Sequence, residues 1–510
     1  MTTFNLIITL WSNLFDLTFI PALRDFVTLL LNFLLLSFVF IKMGTIFKKI
    51  FSLFFFLQAF TAQSFLFSQV SDKDQITDTV QCRDETGQSY ALYRPAQYDN
   101  KKRWPVILIF DPAARGRTGV NTFIEAGRKY GFILACSNNS RNGPLQDNFA
   151  AAATMFQDVE ERFTVDQKRI YAAGFSGGSR FAMAFAVKEK KISGVIGCGA
   201  GLPNDRNYLP SGNTDFLYYG LAGTRDMNYL EMHDLLGFFS SKTRVISYFR
   251  TFPGGHQWPG SDLITEAVEW LVLQTMNRKI IPADRTFLSY VENKTQNLIN
   301  SQLSAGNQAD AIMYMRFAAR DFQGTPFASG MTKLLTDSEK SAEYQKAIRK
   351  WNKMAATEQE KKEKYLNYLS EIVNSGSLPD SASVWWRNET RELIRLRDKG
   401  SPEISQMASR VLNFISILCS EQGTSYYRNR FYAQAAFMFE ICTLSDSENP
   451  NNYYNLARSL AGSGKSKESV DALSAAMNHG FNSRKTVESD PAFGKIRGDT
   501  RYKALILKMK

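Results

Sequence analysis

Residues Arg169-Ile-Tyr-Ala-Ala-Gly-Phe-Ser-Gly-Gly-Ser-Arg180 decide how the rest of the chain is read. Ile170–Ala173 is short, apolar and β-prone, whereas Phe181-Ala-Met-Ala-Phe-Ala186 is apolar and rich in helix formers. Between them Gly174-Phe175-Ser176-Gly177-Gly178 fits the pattern G-x-S-x-G. A strand that turns so abruptly into a helix strains the residue at the bend, and its neighbours must be small. The serine hydroxyl is then held clear of its own backbone, at the carboxyl edge of a sheet. The amide of Gly177, at the start of the helix, points to where negative charge on a bound group would develop. The pattern alone is weak, because glycine and serine are common in turns. Its context, strand before and helix after, makes Ser176 a candidate nucleophile.

Working outward, apolar runs of strand length recur. Thr77–Arg83 and Ser89–Tyr93 flank Asp84-Glu-Thr-Gly87 and predict an opening hairpin. Trp104-Pro-Val-Ile-Leu-Ile-Phe110 is a continuous apolar run, as in a strand buried on both faces of a parallel sheet. Further runs follow at Phe132–Cys136, Ile170–Ala173, Val195–Cys198, Phe216–Tyr219 and Val245–Phe249. Helical patterns at Phe149–Phe163, Phe181–Lys188 and Leu263–Met276 alternate with them. Such alternation predicts a doubly wound, mostly parallel α/β sheet over residues 75–278.

A serine hydroxyl is too weak an acid to attack unaided, so it needs a base, and the base needs a carboxylate to fix its tautomer. Asp226, in Gly220-Leu-Ala-Gly-Thr-Arg-Asp-Met-Asn-Tyr229, follows a strand. His256, in Thr251-Phe-Pro-Gly-Gly-His-Gln-Trp-Pro-Gly260, follows the last strand. Asp215 precedes its strand and Asp234 falls in a helical pattern, which favours Asp226. His233 is in a helical pattern and His479 in the other half of the chain, which favours His256. A second amide for an oxyanion is sought in Phe110-Asp-Pro-Ala-Ala-Arg-Gly116. Pro112 has no N–H, so Ala113 is preferred and Ala114 comes next. Arg115, Arg225 and Trp258 stand near the expected rim as candidate substrate contacts, although solvated loop charges are the commoner role for such arginines.

With these segments in place, residues from about 80 to 278 resemble an α/β-hydrolase. Within that superfamily they are similar to the compact esterase branch of feruloyl esterases and of poly(3-hydroxybutyrate) depolymerase-like and dienelactone hydrolase-like enzymes. The carrying segments are Gly-Phe-Ser-Gly-Gly, Gly-Thr-Arg-Asp-Met-Asn-Tyr and Gly-Gly-His-Gln-Trp-Pro. The resemblance implies a catalytic triad of Ser176, Asp226 and His256 in a serine esterase that uses no cofactor. One departure stands out: such esterases typically carry His-Gly in the oxyanion loop, where this chain has Asp111-Pro112. A serine peptidase would use the same triad, and a hydrolase fold turned binding scaffold would keep the shape without turnover.

Residues 1–68 are a different material. Val27–Ile41 and Phe51–Leu57 are apolar runs, and Met43-Gly-Thr-Ile-Phe-Lys-Lys49 places positive charge ahead of the second. Ala62-Gln-Ser64 supplies small residues after it, so Met43 onward reads as a signal peptide, and 1–42 as an over-long start or a membrane segment. Export is expected, with a possible membrane tether through 1–67. The five cysteines sit in apolar or small-residue settings typical of buried thiols, and with three histidines and no CxxC a zinc site is not expected. The net charge of +12 comes from lysines and arginines mixed with acids throughout, which argues against nucleic acid as a partner.

Beyond a linker at Asn277–Asp284, helical periodicity takes over to residue 510. Ala435 and Phe439 recur 34 positions on as Ser469 and Leu473, and Pro450, Tyr454-Asn-Leu-Ala457 and Gly462 punctuate the interval. This resembles the tetratricopeptide repeat (TPR), with Gly306–Ile312 as a degenerate earlier unit. A TPR-like array over 279–510 would bind a protein partner or stabilise the hydrolase. The charged stretch Tyr344–Tyr368 reads as a solvated helix face.

Overall fold

A computed structural model describes residues 73–84, 87–375, 379 and 381–509. The expected signal peptide and tether therefore lie outside the described residues. Among the described residues no helix is long and apolar enough to cross a membrane.

Eight strands make one sheet: β1 (Ile76–Gln81), β2 (Ser89–Tyr93), β3 (Trp104–Phe110), β4 (Ile133–Ser137), β5 (Val165–Phe175), β6 (Gly194–Cys198), β7 (Leu217–Gly223) and β8 (Ile246–Phe252). Their order is β1-β2-β4-β3-β5-β6-β7-β8, antiparallel at β1–β2 and β2–β4 and parallel elsewhere. Every residue of β3, β4, β6 and β7 is buried, which is why they read as unbroken apolar runs. Five helices belong to the sheet: α1 (Gly116–Tyr130), α2 (Leu145–Arg162), α3 (Gly177–Lys188), α4 (Tyr229–Lys242) and α5 (Ser261–Asn277). Because parallel crossovers are right-handed, the step from β3 back to β4 puts α1 on one face, and the steps onward put α2, α3 and α4 on the other. Accordingly α1 packs against α5, and α2 against α3. The winding reverses around β3, so the loops after β3 and β5 open a crevice at the carboxyl edge, where doubly wound sheets place their ligands.

Two strands run longer than their sequence signal. β5 begins at Val165 rather than Ile170, because the polar Asp166–Arg169 stretch stays extended once Val165 pairs with Trp104. β7 continues through Gly220 to Gly223 because β8 pairs with it throughout.

The rest is helical: α6 (Arg285–Ser304), α7 (Gln308–Asp321), α8 (Pro326–Glu339), α9 (Ala342–Ser375), α10 (Ala382–Lys399), α11 (Pro402–Arg428), α12 (Tyr432–Ser445), α13 (Pro450–Gly462), α14 (Ser466–Asn478), α15 (Arg484–Ser489) and α16 (Thr500–Lys508). Neighbouring helices pack in sequence order from α10 to α14. Small residues let them approach: Ala435, Ala457 and Ser469 are fully buried, and a side chain at Gly462 would strike the Tyr432 ring at 2.7 Å. Helix α7 packs on β8 and α5, where Arg320 Nη1 donates to Ser247 O at 2.8 Å and Trp270 Nε1 of α5 to Asp321 Oδ2 at 2.8 Å, and α6 reaches α5 through Lys294 Nζ on Glu269 Oε2 at 2.7 Å. Helix α9 is not the solvated element its charge suggests. Glu358, Tyr365 and Leu369 are buried, because α10, α11 and the sheet half cover one of its faces.

Candidate active site

Ser176 stands between β5 and α3 with φ 53° and ψ −123°, a region that costs a side-chain-bearing residue about 1–3 kcal/mol. The surroundings hold it there. A side chain on Gly174 would meet Gly178 O at 2.2 Å, and one on Gly178 would meet Phe110 O at 2.1 Å, so both positions of the motif require glycine. Ser176 N–H donates to Cys198 O at 2.8 Å. The amide of Gly177 opens α3 and has no partner four residues back, so it is available to a ligand.

Three loops from three strand ends converge on the hydroxyl. His256 Nε2 lies 2.8 Å from Ser176 Oγ, and His256 Nδ1 lies 3.0 Å from both carboxylate oxygens of Asp226. A carboxylate only accepts, so Nδ1 carries the proton and Nε2 is left to accept from the serine. Asp226 is 1 % exposed, and it also accepts the Asn228 N–H at 2.9 Å. Asn228 Nδ2 in turn donates to Gly199 O at 2.7 Å. The Phe175 ring packs on the imidazole, with centroids 4.7 Å apart. The competing residues are elsewhere: His233 stacks on Trp351, His479 on Tyr453, and Asp215 pairs with Arg278.

The loop after β3 is arranged differently from the sequence expectation. Ala113 N–H, sought as the second oxyanion donor, donates to Asp111 Oδ1 at 2.9 Å, and Ala114 N–H donates to Asp111 O at 3.1 Å. The reason is the buried Asp111 carboxylate, which must be satisfied by donors. It takes the Arg115 guanidinium at 2.8 and 2.9 Å and Trp258 Nε1 at 3.0 Å as well. Burial pushes the Asp111 carboxyl up, but Arg115, Trp258 and the Ala113 amide outweigh it and hold it below the usual carboxylate range. Arg115 and Trp258, expected as substrate contacts, thus brace this loop, and the cleft beside the serine is lined by other residues. Arg225 is exposed, and its N–H donates to Gly254 O at 2.8 Å.

A cleft of about 570 Å³ opens beside the serine. Ser176, Gly177 and Asn142 line one side, and Phe414, Ile417 and Leu418 of α11 line the other. Asn142 lies directly over Gly177, where an added side chain would meet its Oδ1 at 1.9 Å. Its loop is braced, since Asn142 N–H donates to Pro112 O at 2.8 Å and the Asn148 amide clamps both Arg141 N and Arg141 O at 2.9 Å. Sequence reasoning missed Asn142, Asn228 and the α11 wall. Only Asn228 had a local signal, an Asx turn in Asp-Met-Asn.

No family model matches this chain. No curated protein matches it in sequence either. Among solved structures it is similar to Est1E from Butyrivibrio proteoclasticus, at 17% identity and TM-score 0.30 over 39% of this chain and 100% of that one. A hyperthermophilic esterase from the archaeon Pyrobaculum calidifontis is similar at 12% identity and TM-score 0.32, over 39% and 85%. A ferulic acid esterase is similar at 15% and 0.31, over 38% and 96%.

Proposed function

We propose that the protein is an exported serine hydrolase that cleaves carboxylic esters through an acyl-enzyme on Ser176. The observation that carries the reading is the hydrogen-bonded line Ser176–His256–Asp226, with the serine strained at the mouth of a cleft. His256 Nε2 takes the Ser176 proton as Oγ attacks the acyl carbonyl, and Asp226 stabilises the imidazolium that forms. The oxyanion meets the Gly177 amide. With Ala113 N–H engaged by Asp111, the second donor in this reading is Nδ2–H of Asn142, whose amide is packed over Gly177 with Oδ1 nearest and must turn Nδ2 to the oxyanion to serve. His256 returns the proton to the leaving alcohol, and then activates the water that releases the acid. Phe414, Ile417 and Leu418 of α11 favour an ester with an apolar moiety, small or polymeric, in a cleft that Arg141, Arg180, Asp205 and Glu421 also line. The order of charge, apolar run and small residues at Met43–Ser64 supports export. The 34-residue recurrence in α12–α14 supports a TPR-like module that could also take a protein partner.

The engaged Ala113 amide favours one competing reading, a hydrolase-fold scaffold without turnover. The full-length protein in detergent, treated with a fluorophosphonate probe and with p-nitrophenyl acetate, separates the two. Labelling and turnover that vanish in Ser176→Ala support the hydrolase; a folded wild type that does neither supports the scaffold. Aminoacyl amides run alongside the ester test for a peptidase.

A further inference from the structure

Three side chains of the helical half donate hydrogen bonds to the loop that carries Asp226. Arg410 Nη1 donates to Thr224 O at 2.8 Å, Asn413 Nδ2 to Arg225 O at 2.9 Å and Lys362 Nζ to Met227 O at 2.8 Å. These carbonyls stand on both sides of Asp226. The amides of the same loop face the other way, with Thr224 N–H on Phe252 O and Arg225 N–H on Gly254 O, both at 2.8 Å in the segment leading to His256.

The donors are themselves fixed. The Arg410 side chain is 2 % exposed and pairs with the fully buried Glu358 at 2.7 Å, and its guanidinium lies 4.7 Å over the Tyr229 ring. Lys362 sits 2.8 Å from the other Glu358 oxygen. A buried ion pair is a poor way to gain stability, because apolar residues of the same volume usually do as well. This one spends a donor from each of its two cations on the carbonyls beside a candidate catalytic acid.

We infer that Arg410, Asn413 and Lys362 are positioning residues for Asp226, so that the helical half completes the active site of the sheet half. The inference rests on the serine-hydrolase reading, in which Asp226 orients His256. Without these bonds the Asp226 carboxylate shifts away from Nδ1, and His256 loses the tautomer that accepts the serine proton.

The test compares full-length wild type with Asn413→Ala and Lys362→Met, and with Arg387→Gln as control, which breaks the exposed Arg387–Glu440 pair within the helical half. Turnover of p-nitrophenyl acetate, thermal melting and the far-downfield proton resonance of His256 Nδ1–H are read on each. The expected result is a kcat lowered on the order of 10- to 100-fold with KM held, and a weakened downfield resonance, in both loop variants but not in the control. A lowered melting point with kcat and resonance unchanged overturns the inference, because the contacts are then merely structural. If the wild type neither labels nor turns over, the hydrolase reading fails, and the resonance still decides. Its presence in wild type and loss in the variants supports positioning, and its absence from wild type, or its persistence in the variants, overturns it.

Discussion

Gly199 shows how little room the site leaves. It follows β6 with φ +67°, and a methyl group there would sit 2.9 Å from Phe175 Cε2, 3.0 Å from Asp226 Oδ2 and 3.3 Å from His256 Cε1. Carbon contacts are comfortable at about 3.5–4.0 Å, so Gly199→Ala must push at least one of these groups by roughly 0.5–1 Å. Placing an alanine at positive φ adds about 1–2 kcal/mol of strain. The strain alone is matched by Gly464→Ala, at φ +84° in the α13–α14 turn with nothing within 4 Å. Both variants should therefore melt a few degrees lower, by roughly 2–4 °C. Only Gly199→Ala should lose turnover, on the order of 10- to 100-fold in kcat, since a misplacement near 1 Å at a reacting group costs up to about 10²-fold. Steady-state kinetics on p-nitrophenyl acetate beside calorimetry separate the two effects. Equal kcat in the two variants would refute the reasoning, because the methyl would then press on nothing that matters.

Asp226→Asn keeps the shape but offers an amide to Nδ1, and should lower kcat by about 10⁴-fold. Asn142→Ala removes the proposed second oxyanion donor, so kcat should fall on the order of 10²-fold with KM little changed; an unchanged kcat assigns the oxyanion to Gly177 alone. Glu269, 2 % exposed, binds Lys294 at 2.7 Å, Tyr130 at 2.7 Å and Lys129 at 3.0 Å. Burial pushes its carboxyl up, but those three partners outweigh it and hold it below the ordinary value. A carboxyl depressed in the fold stabilises above its unfolded pKa of about 4.3 and loses that contribution as pH falls through the folded value. Glu269→Gln should therefore melt below wild type at neutral pH, by about 1–3 kcal/mol, and the gap should narrow progressively as melts are taken further below about pH 4.3.

The sheet was legible because its central strands β3, β4, β6 and β7 are buried on both faces. Trp104–Phe110 and Ser89–Tyr93 have the bounds their apolar runs suggest. What blurred was decided by partners distant in sequence. Gly220 and Gly223 weaken the strand signal of β7, yet Gly223 must be glycine, since a side chain would meet the carbonyls of Gly254 and Gly255 at 2.5 Å. Ser176, Asp226 and His256 were nominated because each follows a strand that ends at one sheet edge, and the structure brings those three together. The oxyanion loop was misjudged at Ala113, because nothing local announces that Asp111 is buried and draws Arg115, Trp258 and an amide to itself. The brace from α9 and α11 was invisible for a related reason. A charged helix reads as solvated, and Glu358 is indistinguishable in sequence from its exposed neighbours.

The division of bonds around Asp226 explains why a brace from outside the sheet is needed at all. Ser176 stands on an elbow whose backbone is over-determined by Gly174 and Gly178. Asp226 and His256 ride on loops, and the amides of Thr224 and Arg225 tie one loop to the other. That linkage ties the two loops into a unit but does not by itself hold the Asp226 carboxylate on Nδ1 or the unit against the serine. Reacting groups need placement within about 0.5 Å, so the unit needs an anchor that belongs to neither loop. The carbonyls of Thr224, Arg225 and Met227 are its remaining handles, and Arg410, Asn413 and Lys362 hold all three. The same α11 that supplies two of these donors also supplies the apolar wall of the cleft through Phe414, Ile417 and Leu418. One helix therefore fixes the catalytic acid and shapes the space in which the ester would lie, so in this reading the two halves of the chain form a single catalytic unit.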